Sequence, residues 1–191
     1  MLTTTLIERN NLTVDTPPNI SIKKPDFVMD TKTAIKTAID TANMISTSYL
    51  GDLTDEEMMH RPAPGCNHIK WQVGHLIVSE NSMINQCLPG ALPPLPDGFA
   101  EKYTKETATS DDAAAFDSKA DLMKLYETQR AATLAALASL DPADFDKEGP
   151  EEIRAYCPNV GAAFLMQDVH WMMHAGQWAV VRRQLGREPL F

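Results

Sequence analysis

Four long segments of this chain carry apolar residues at three- and four-residue spacing, which is the repeat of an amphipathic α-helix. They cover residues 33–50, 67–88, 118–140 and 160–185. In the first segment, Ile35, Ile39 and Ala42 fall on one face of the predicted helix. Between the segments we find no run that alternates apolar and polar residues as a half-buried β-strand does. The pattern therefore predicts an all-α fold, specifically a four-helix bundle.

Residues that favour helix ends flank these segments. The run from Thr54 to Glu57 has the capping-box pattern and predicts a short helical turn after the first helix. Asn67 is the predicted N-cap of the second helix, because its side chain can accept a hydrogen bond from a free backbone N–H. Gly51 and Gly186 follow the first and fourth segments, where left-handed backbone geometry favours glycine.

Outside the helices, the chain divides into a leader and two long connections. Residues 1–29 are rich in Thr, Asn and Pro, so we expect an extended or partly mobile leader. Residues 30–191 then form the bundle. Residues 89–110 connect the second and third helices, and residues 144–159 connect the third and fourth. Connections of this length are often functional.

The composition excludes several classes of partner. The chain of 191 residues carries a net charge of −9, so it has little with which to neutralise phosphates. We therefore expect it to bind neither nucleic acid nor an anionic membrane surface. No apolar run reaches the roughly 18–20 residues that span a bilayer. The three cysteines contain no C-x-x-C pair, which argues against a thiolate metal site. We expect a cytoplasmic protein.

The sharpest chemical signal is the pair His170 and His174. One helical turn separates them, so both side chains project from the same face with Cβ atoms about 6 Å apart. Two imidazoles at that separation can share one metal ion at metal–nitrogen distances of about 2.1 Å. In the H-E-x-x-H motif of metalloproteases a glutamate follows the first histidine, but Trp171 occupies that position here. The pair indicates either a metal site without the protease base or two hydrogen-bonded core histidines.

A metal site needs a third ligand, and three further histidines are candidates. His75 lies in the middle of the second helix, next to Gly74. A glycine inside a helix costs about 1 kcal/mol relative to alanine, and here it would permit another helix to approach closely. His60 and His68 lie in or beside the connection before the second helix, where we expect them at the surface or at a pocket mouth. The residue pattern alone leaves the choice open.

Two motifs taken together resemble a known family. The pattern W-x-x-G-H-L-x-x-x-E covers residues 71–80, and H-x-x-x-H-x-G-Q covers residues 170–177. Their combination on the second and fourth helices of a chain of this size resembles the DinB-like superfamily of metal-binding four-helix bundles, over roughly residues 30 to 190. The resemblance implies one divalent metal ion held by His75, His170 and His174.

Glu80 belongs to the first motif and falls on the main apolar face of the second helix. A carboxylate in such a place needs a partner, because burying an unpaired charge is costly. Glu80 is therefore either an acceptor behind the metal site or the partner of an arginine such as Arg130 or Arg182.

Gln177, Trp71 and Trp171 are the remaining candidates for supporting roles. Gln177 lies one turn beyond His174 on the same helix face, so it can support a ligand or join two helices. The two tryptophans flank the histidines in sequence, and they are expected either to line a pocket or to pack in the core.

The resemblance implies two kinds of enzyme. In some members of the superfamily the metal activates a low-molecular-weight thiol, such as bacillithiol or mycothiol, for transfer, and others are described as metal-dependent hydrolases. We therefore expect a thiol-dependent transferase acting on a small molecule, with zinc, nickel, copper or iron as its metal. The alternatives are a metal-dependent hydrolase and a non-catalytic metal- or small-molecule-binding module in stress response. The family often forms dimers, so a homodimer is expected.

Overall fold

The computed structural model describes residues 29–191, and within them lie four long α-helices and no β-strand. The helices are α1 (Thr31–Gly51), α2 (Ile69–Cys87), α3 (Lys119–Ser139) and α4 (Val160–Gln184). Each begins and ends within two residues of its predicted segment. The prediction of an all-α four-helix bundle is confirmed. The predicted leader lies outside the described residues, except for Met29.

Helices α1 and α4 run parallel and form the largest helix–helix interface among the described residues. Near their C-terminal ends, the Arg182 guanidinium of α4 donates to the backbone carbonyl of Tyr49 in α1. Near their N-terminal ends, Thr31 and Gly161 line one surface depression. A parallel arrangement of the first and last helices requires long connections elsewhere, and it leaves α2 to pack on the other side of α4.

Helix α2 runs antiparallel to α4, and this orientation positions the candidate site. At one end Gln72 of α2 donates to Gln177 of α4, and further along Met83 of α2 accepts from Gln167 of α4. Residue numbers therefore rise along α2 while they fall along α4. His75, close to Gln72, is consequently brought opposite the middle of α4.

Between α2, α3 and α4, the core contains a buried ion pair. The carboxylate of Glu80 lies 2.8 Å from the Arg130 guanidinium, and both side chains are almost fully buried. Thr133 donates to the same carboxylate at 2.6 Å, and the Trp171 indole donates to it at 3.2 Å. These bonds satisfy a carboxylate that would otherwise be costly to bury. The partner of Glu80 is therefore Arg130.

Two of the predicted helix ends are correct and two are wrong. The capping box is present, since Thr54 and Glu57 exchange hydrogen bonds of 3.1 and 2.7 Å. Gly186 ends α4 with a φ of 73°. Gly51, by contrast, is the last residue of α1 and lacks a positive φ. The N-cap of α2 is not Asn67, whose backbone carbonyl accepts from a side chain in the helix instead.

The N-cap of α2 is His68, whose Nδ1 accepts the backbone N–H of Trp71 at 3.0 Å. An imidazole nitrogen can replace the side-chain oxygen of the usual capping residues because it also carries an acceptor lone pair. The ring packs edge-on against Phe116 at 4.7 Å between centroids and is fully buried. The expectation that His68 lies at the surface or at a pocket mouth was therefore wrong.

The connection between α2 and α3 packs against α2 beside Gly74. A Cβ on this glycine would lie 2.2 Å from the ring of Tyr103, far inside van der Waals contact. The close approach predicted at Gly74 is therefore present, but its partner is Tyr103 in a short 3₁₀ turn and not a long helix. This connection brings Thr104 and Thr107 against Trp71, one turn before His75.

Candidate metal centre

His75, His170 and His174 meet in the groove between α2 and α4. Their ring centroids are separated by 5.2 Å (His75–His170), 6.0 Å (His75–His174) and 5.1 Å (His170–His174). Each ring offers one nitrogen, and these three nitrogens lie within 4.8 Å of one another. His170 and His174 are one helical turn apart on α4, whereas His75 is brought beside them by the antiparallel packing of α2.

The donor set fits a divalent metal ion. Two nitrogens bound to one tetrahedral zinc at about 2.1 Å are roughly 3.4 Å apart, so small rotations of the rings bring the three nitrogens into range. Within residues 29–191, these three histidines are the group of histidine, cysteine or carboxylate side chains whose ligand atoms lie close enough together to hold a metal ion. Three imidazoles leave coordination positions for water or substrate, as in catalytic zinc sites. All three side chains are half-buried, so the groove is accessible from solvent.

Burial keeps the three imidazoles neutral near physiological pH. Desolvation, reinforced by the neighbouring histidines, lowers the pKa of His174 to about 4. Burial and the proximity of His75 lower the pKa of His170 to about 4 as well, and burial lowers the pKa of His75. A neutral imidazole retains the lone pair that a metal ion requires. The cluster therefore has the protonation state of a ligand set.

Trp71 supports His75 from one turn before it on α2. The two rings are stacked, with centroids 4.9 Å apart and planes inclined by 8°. The indole N–H donates to Thr107 Oγ1 at 3.0 Å and to the Thr104 carbonyl at 3.2 Å. Because Trp71 is held by the connection between α2 and α3, the orientation of His75 depends on that connection as well.

His174 has a hydrogen-bond partner that the sequence interpretation missed, namely Gln72. The Nδ1 atom of His174 lies 3.0 Å from Oε1 of Gln72, which is fully buried. Gln177 does not contact the histidine through a hydrogen bond of its own. It accepts from Gln72 Nε2 at 3.0 Å and so joins α4 to α2. Gln72 precedes His75 by three residues, and a glutamine at helical spacing from a ligand was the signal available in the sequence.

Glu80 and Trp171 lie away from the metal-facing atoms. The carboxylate of Glu80 is bonded to Arg130, Thr133 and Trp171, and none of these partners is a histidine. Trp171 is 1% exposed and packs in the main core against Trp178. Both residues hold α2 and α4 together behind the site. His60, the other candidate ligand, is exposed and lies outside the cluster.

The fold and the site define a class of protein, a four-helix bundle in which three imidazoles from two antiparallel helices converge and could hold a metal ion. A family model for the DinB superfamily matches residues 38–178. The matched range contains all three histidines and reaches from α1 to α4. The chain therefore belongs to the DinB superfamily. No curated protein matches it at a significant level.

None of the helices in residues 29–191 is long and apolar enough to cross a membrane. The longest, α4, has 25 residues, but its last turn carries Arg182 and Arg183.

Proposed function

We propose that this protein binds one divalent metal ion through His75, His170 and His174 and uses it to activate a low-molecular-weight thiol for transfer to an electrophile. The convergence of three neutral imidazole nitrogens within 4.8 Å is the observation that carries the proposal. Membership of the DinB superfamily supports it, since the resemblance to that superfamily implies thiol-dependent transferases among its members.

The make-up of the site favours thiol transfer over hydrolysis. The metal would supply Lewis acidity that lowers the pKa of a coordinated thiol or water. A thiol activated in this way needs no protein base, because the thiolate is itself the nucleophile. Metalloproteases add a glutamate base, and no carboxylate belongs to the cluster within residues 29–191. The buried carboxylate of Glu80 lies outside the cluster and is engaged with Arg130.

The protein side chains would fix the geometry of the site. His170 and His174 are one turn apart on a single helix, so the distance between them changes little when the helices of the bundle move relative to one another. His75 is stacked on Trp71, which restricts rotation of the ring. Because the three histidines are only half-buried, a thiol and its electrophile would reach the ion from solvent.

The test combines metal analysis with turnover. Protein purified without a polyhistidine tag is analysed for metals, reconstituted with zinc, nickel or iron, and assayed for consumption of bacillithiol or mycothiol with monochlorobimane. We expect turnover that requires metal and is lost in His170→Ala. Gly176→Ala is the matched control on the same helix, because a side chain there meets nothing within 4 Å. Thiol consumption unaffected by metal removal would contradict the proposal.

Two other functions predict different results in the same assays. A metal-dependent hydrolase cleaves members of an ester panel with metal and leaves thiols unchanged. A non-catalytic metal- or small-molecule-binding module binds the ion yet turns over neither thiol nor ester. The open coordination expected for three imidazoles is common to all three functions, so turnover decides among them.

A further inference from the structure

Gln72 makes four polar contacts, and two of their partners have a fixed hydrogen-bonding role. Its Oε1 lies 2.8 Å from the indole nitrogen of Trp178, which can only donate. Its Nε2 lies 2.6 Å from the backbone carbonyl of Asn67, which can only accept. Nε2 also donates to Gln177 at 3.0 Å, and Oε1 faces His174 Nδ1 at 3.0 Å.

These contacts fix the orientation of the carboxamide. Turning it over would place its NH₂ group against the Trp178 N–H and its oxygen against the Asn67 carbonyl. Two hydrogen bonds would be replaced by two repulsive contacts around a side chain with no solvent exposure. Leaving such buried groups unsatisfied costs about 1–3 kcal/mol each, so one orientation dominates.

The orientation of Gln72 in turn fixes the tautomer of His174. The atom of Gln72 that faces His174 is an oxygen without a hydrogen, so Nδ1 of the neutral imidazole must carry the proton and donate it. The lone pair then resides on Nε2, since the nitrogen that is free to bind metal is set by the hydrogen bond that the other makes.

We propose that Gln72 is a positioning residue that holds His174 in the Nδ1–H tautomer and thereby presents Nε2 as the metal ligand. The role of Nε2 as a metal ligand rests on the three-histidine site of the proposed function. The assignment of the His174 tautomer does not, because it follows from contacts within the protein. Without an acceptor at Gln72 Oε1, the imidazole can also carry its proton on Nε2, and that form cannot bind metal through Nε2.

The first experiment measures the tautomer directly in the metal-free protein. Long-range ¹⁵N–¹H correlation spectra at pH 8 distinguish a protonated Nδ1 from a protonated Nε2 for each histidine, with His174 assigned by its absence in His174→Ala. We expect Nδ1–H in the wild type. Gln72→Met removes the acceptor and is expected to add a population protonated at Nε2. Gln72→Glu keeps an oxygen facing His174 and is expected to show the Nδ1–H signature, in a less stable protein because it loses the donors to Asn67 and Gln177.

Gln167→Met is the matched control. Gln167 is also a buried glutamine between α2 and α4, and it donates to the Ala163 carbonyl at 2.8 Å and to the sulfur of Met83. Its replacement has a comparable structural cost but removes no hydrogen bond to a histidine, so the tautomer of His174 should not change. Trp178→Phe is a second probe with Gln72 intact, because it removes one of the two fixed contacts that hold the carboxamide. The Asn67 carbonyl still opposes turning it over, so the expected population protonated at Nε2 is smaller than in Gln72→Met.

The second experiment measures zinc affinity by competition with a chelating dye. Loss of a residue that orients a ligand typically lowers metal affinity by about 10- to 100-fold, and we expect this for Gln72→Met. Gln72→Glu and Gln167→Met should stay within a few-fold of the wild type.

The outcomes separate the two proposals. A wild-type His174 protonated on Nε2, or a Gln72→Met variant that matches Gln167→Met in tautomer and affinity, would overturn the role of Gln72 and leave the metal site standing. A wild type that shows the Nδ1–H tautomer but binds none of zinc, nickel and iron would overturn the metal site and the ligand role with it.

Discussion

Replacing Gly74 by alanine should destabilise the protein, although helix propensity alone predicts the opposite. Alanine in the interior of a helix is favoured over glycine by about 1 kcal/mol. At Gly74, however, the added Cβ would lie 2.2–2.4 Å from three atoms of the Tyr103 ring. Ordinary contacts begin near 3.4 Å, so the ring must move by about 1 Å.

The ring has little room for such a movement. Tyr103 is 2% exposed, and its hydroxyl both donates to the Asp117 carboxylate at 2.9 Å and accepts the Asp117 backbone N–H at 3.1 Å. Overpacking costs about 1–3 kcal/mol, and each weakened hydrogen bond adds about 0.5–1.5 kcal/mol. After the gain in helix propensity is subtracted, we expect a net loss of about 2 kcal/mol. For a domain of this size, that loss lowers Tm by about 4–8 °C.

Urea unfolding followed by far-UV circular dichroism measures the change in the free energy of unfolding. Gly176→Ala is the control, since this exposed glycine of α4 has open space around it and the change should stabilise by up to about 1 kcal/mol. In a Tyr103→Ala background the ring is absent, and Gly74→Ala should then stabilise as well. A Gly74→Ala variant at least as stable as the wild type would refute the reasoning.

Three further predictions concern the core, pH and metal. Arg130→Met leaves the buried Glu80 without its cation and should lower the free energy of unfolding by about 3–5 kcal/mol in urea titrations, most of which the double variant with Glu80→Leu should recover. Burial lowers the pKa of His68 to about 4, so the stability from its neutral form is present above pH 6.5 and is lost as pH falls towards 4. His68→Asn keeps a capping acceptor but does not titrate in this window. It should therefore reduce the pH dependence of the free energy of unfolding by about one proton between pH 6.5 and pH 4. Zinc at about 100 times its Kd should raise the free energy of unfolding by about 2.7 kcal/mol, measured by thermal unfolding, and His170→Ala should abolish the gain.

The four helices could be predicted because their signals are local. Apolar spacing in the segment from Val160 to Gln184 and its three counterparts depends only on residues within a few turns. The capping box at Thr54 and Glu57 is equally local, and it was predicted correctly. The N-cap of α2 was not, because Asn67 and His68 are both able to cap and only the folded backbone decides which side chain reaches the free N–H.

The candidate site likewise has one part that follows from local sequence and another that depends on how the helices pack. The spacing of His170 and His174 on one helix follows from the sequence, since one turn separates them. That His75 faces this pair, and that His60 and His68 do not, depends on the antiparallel packing of α2 against α4. The resemblance to the DinB superfamily implied the same three residues, but the local pattern could not exclude the others.

By itself, the sequence determined the number and limits of the helices, the pair of histidines on α4 and the need for a partner at Glu80. Tertiary structure decided that this partner is Arg130, that Tyr103 fills the space beside Gly74, and that Gln72 faces His174. The physical reason is the range of the interactions. Helix formation and capping act within about four residues, whereas the orientation of a buried carboxamide or carboxylate is set by donors and acceptors that only folding brings together.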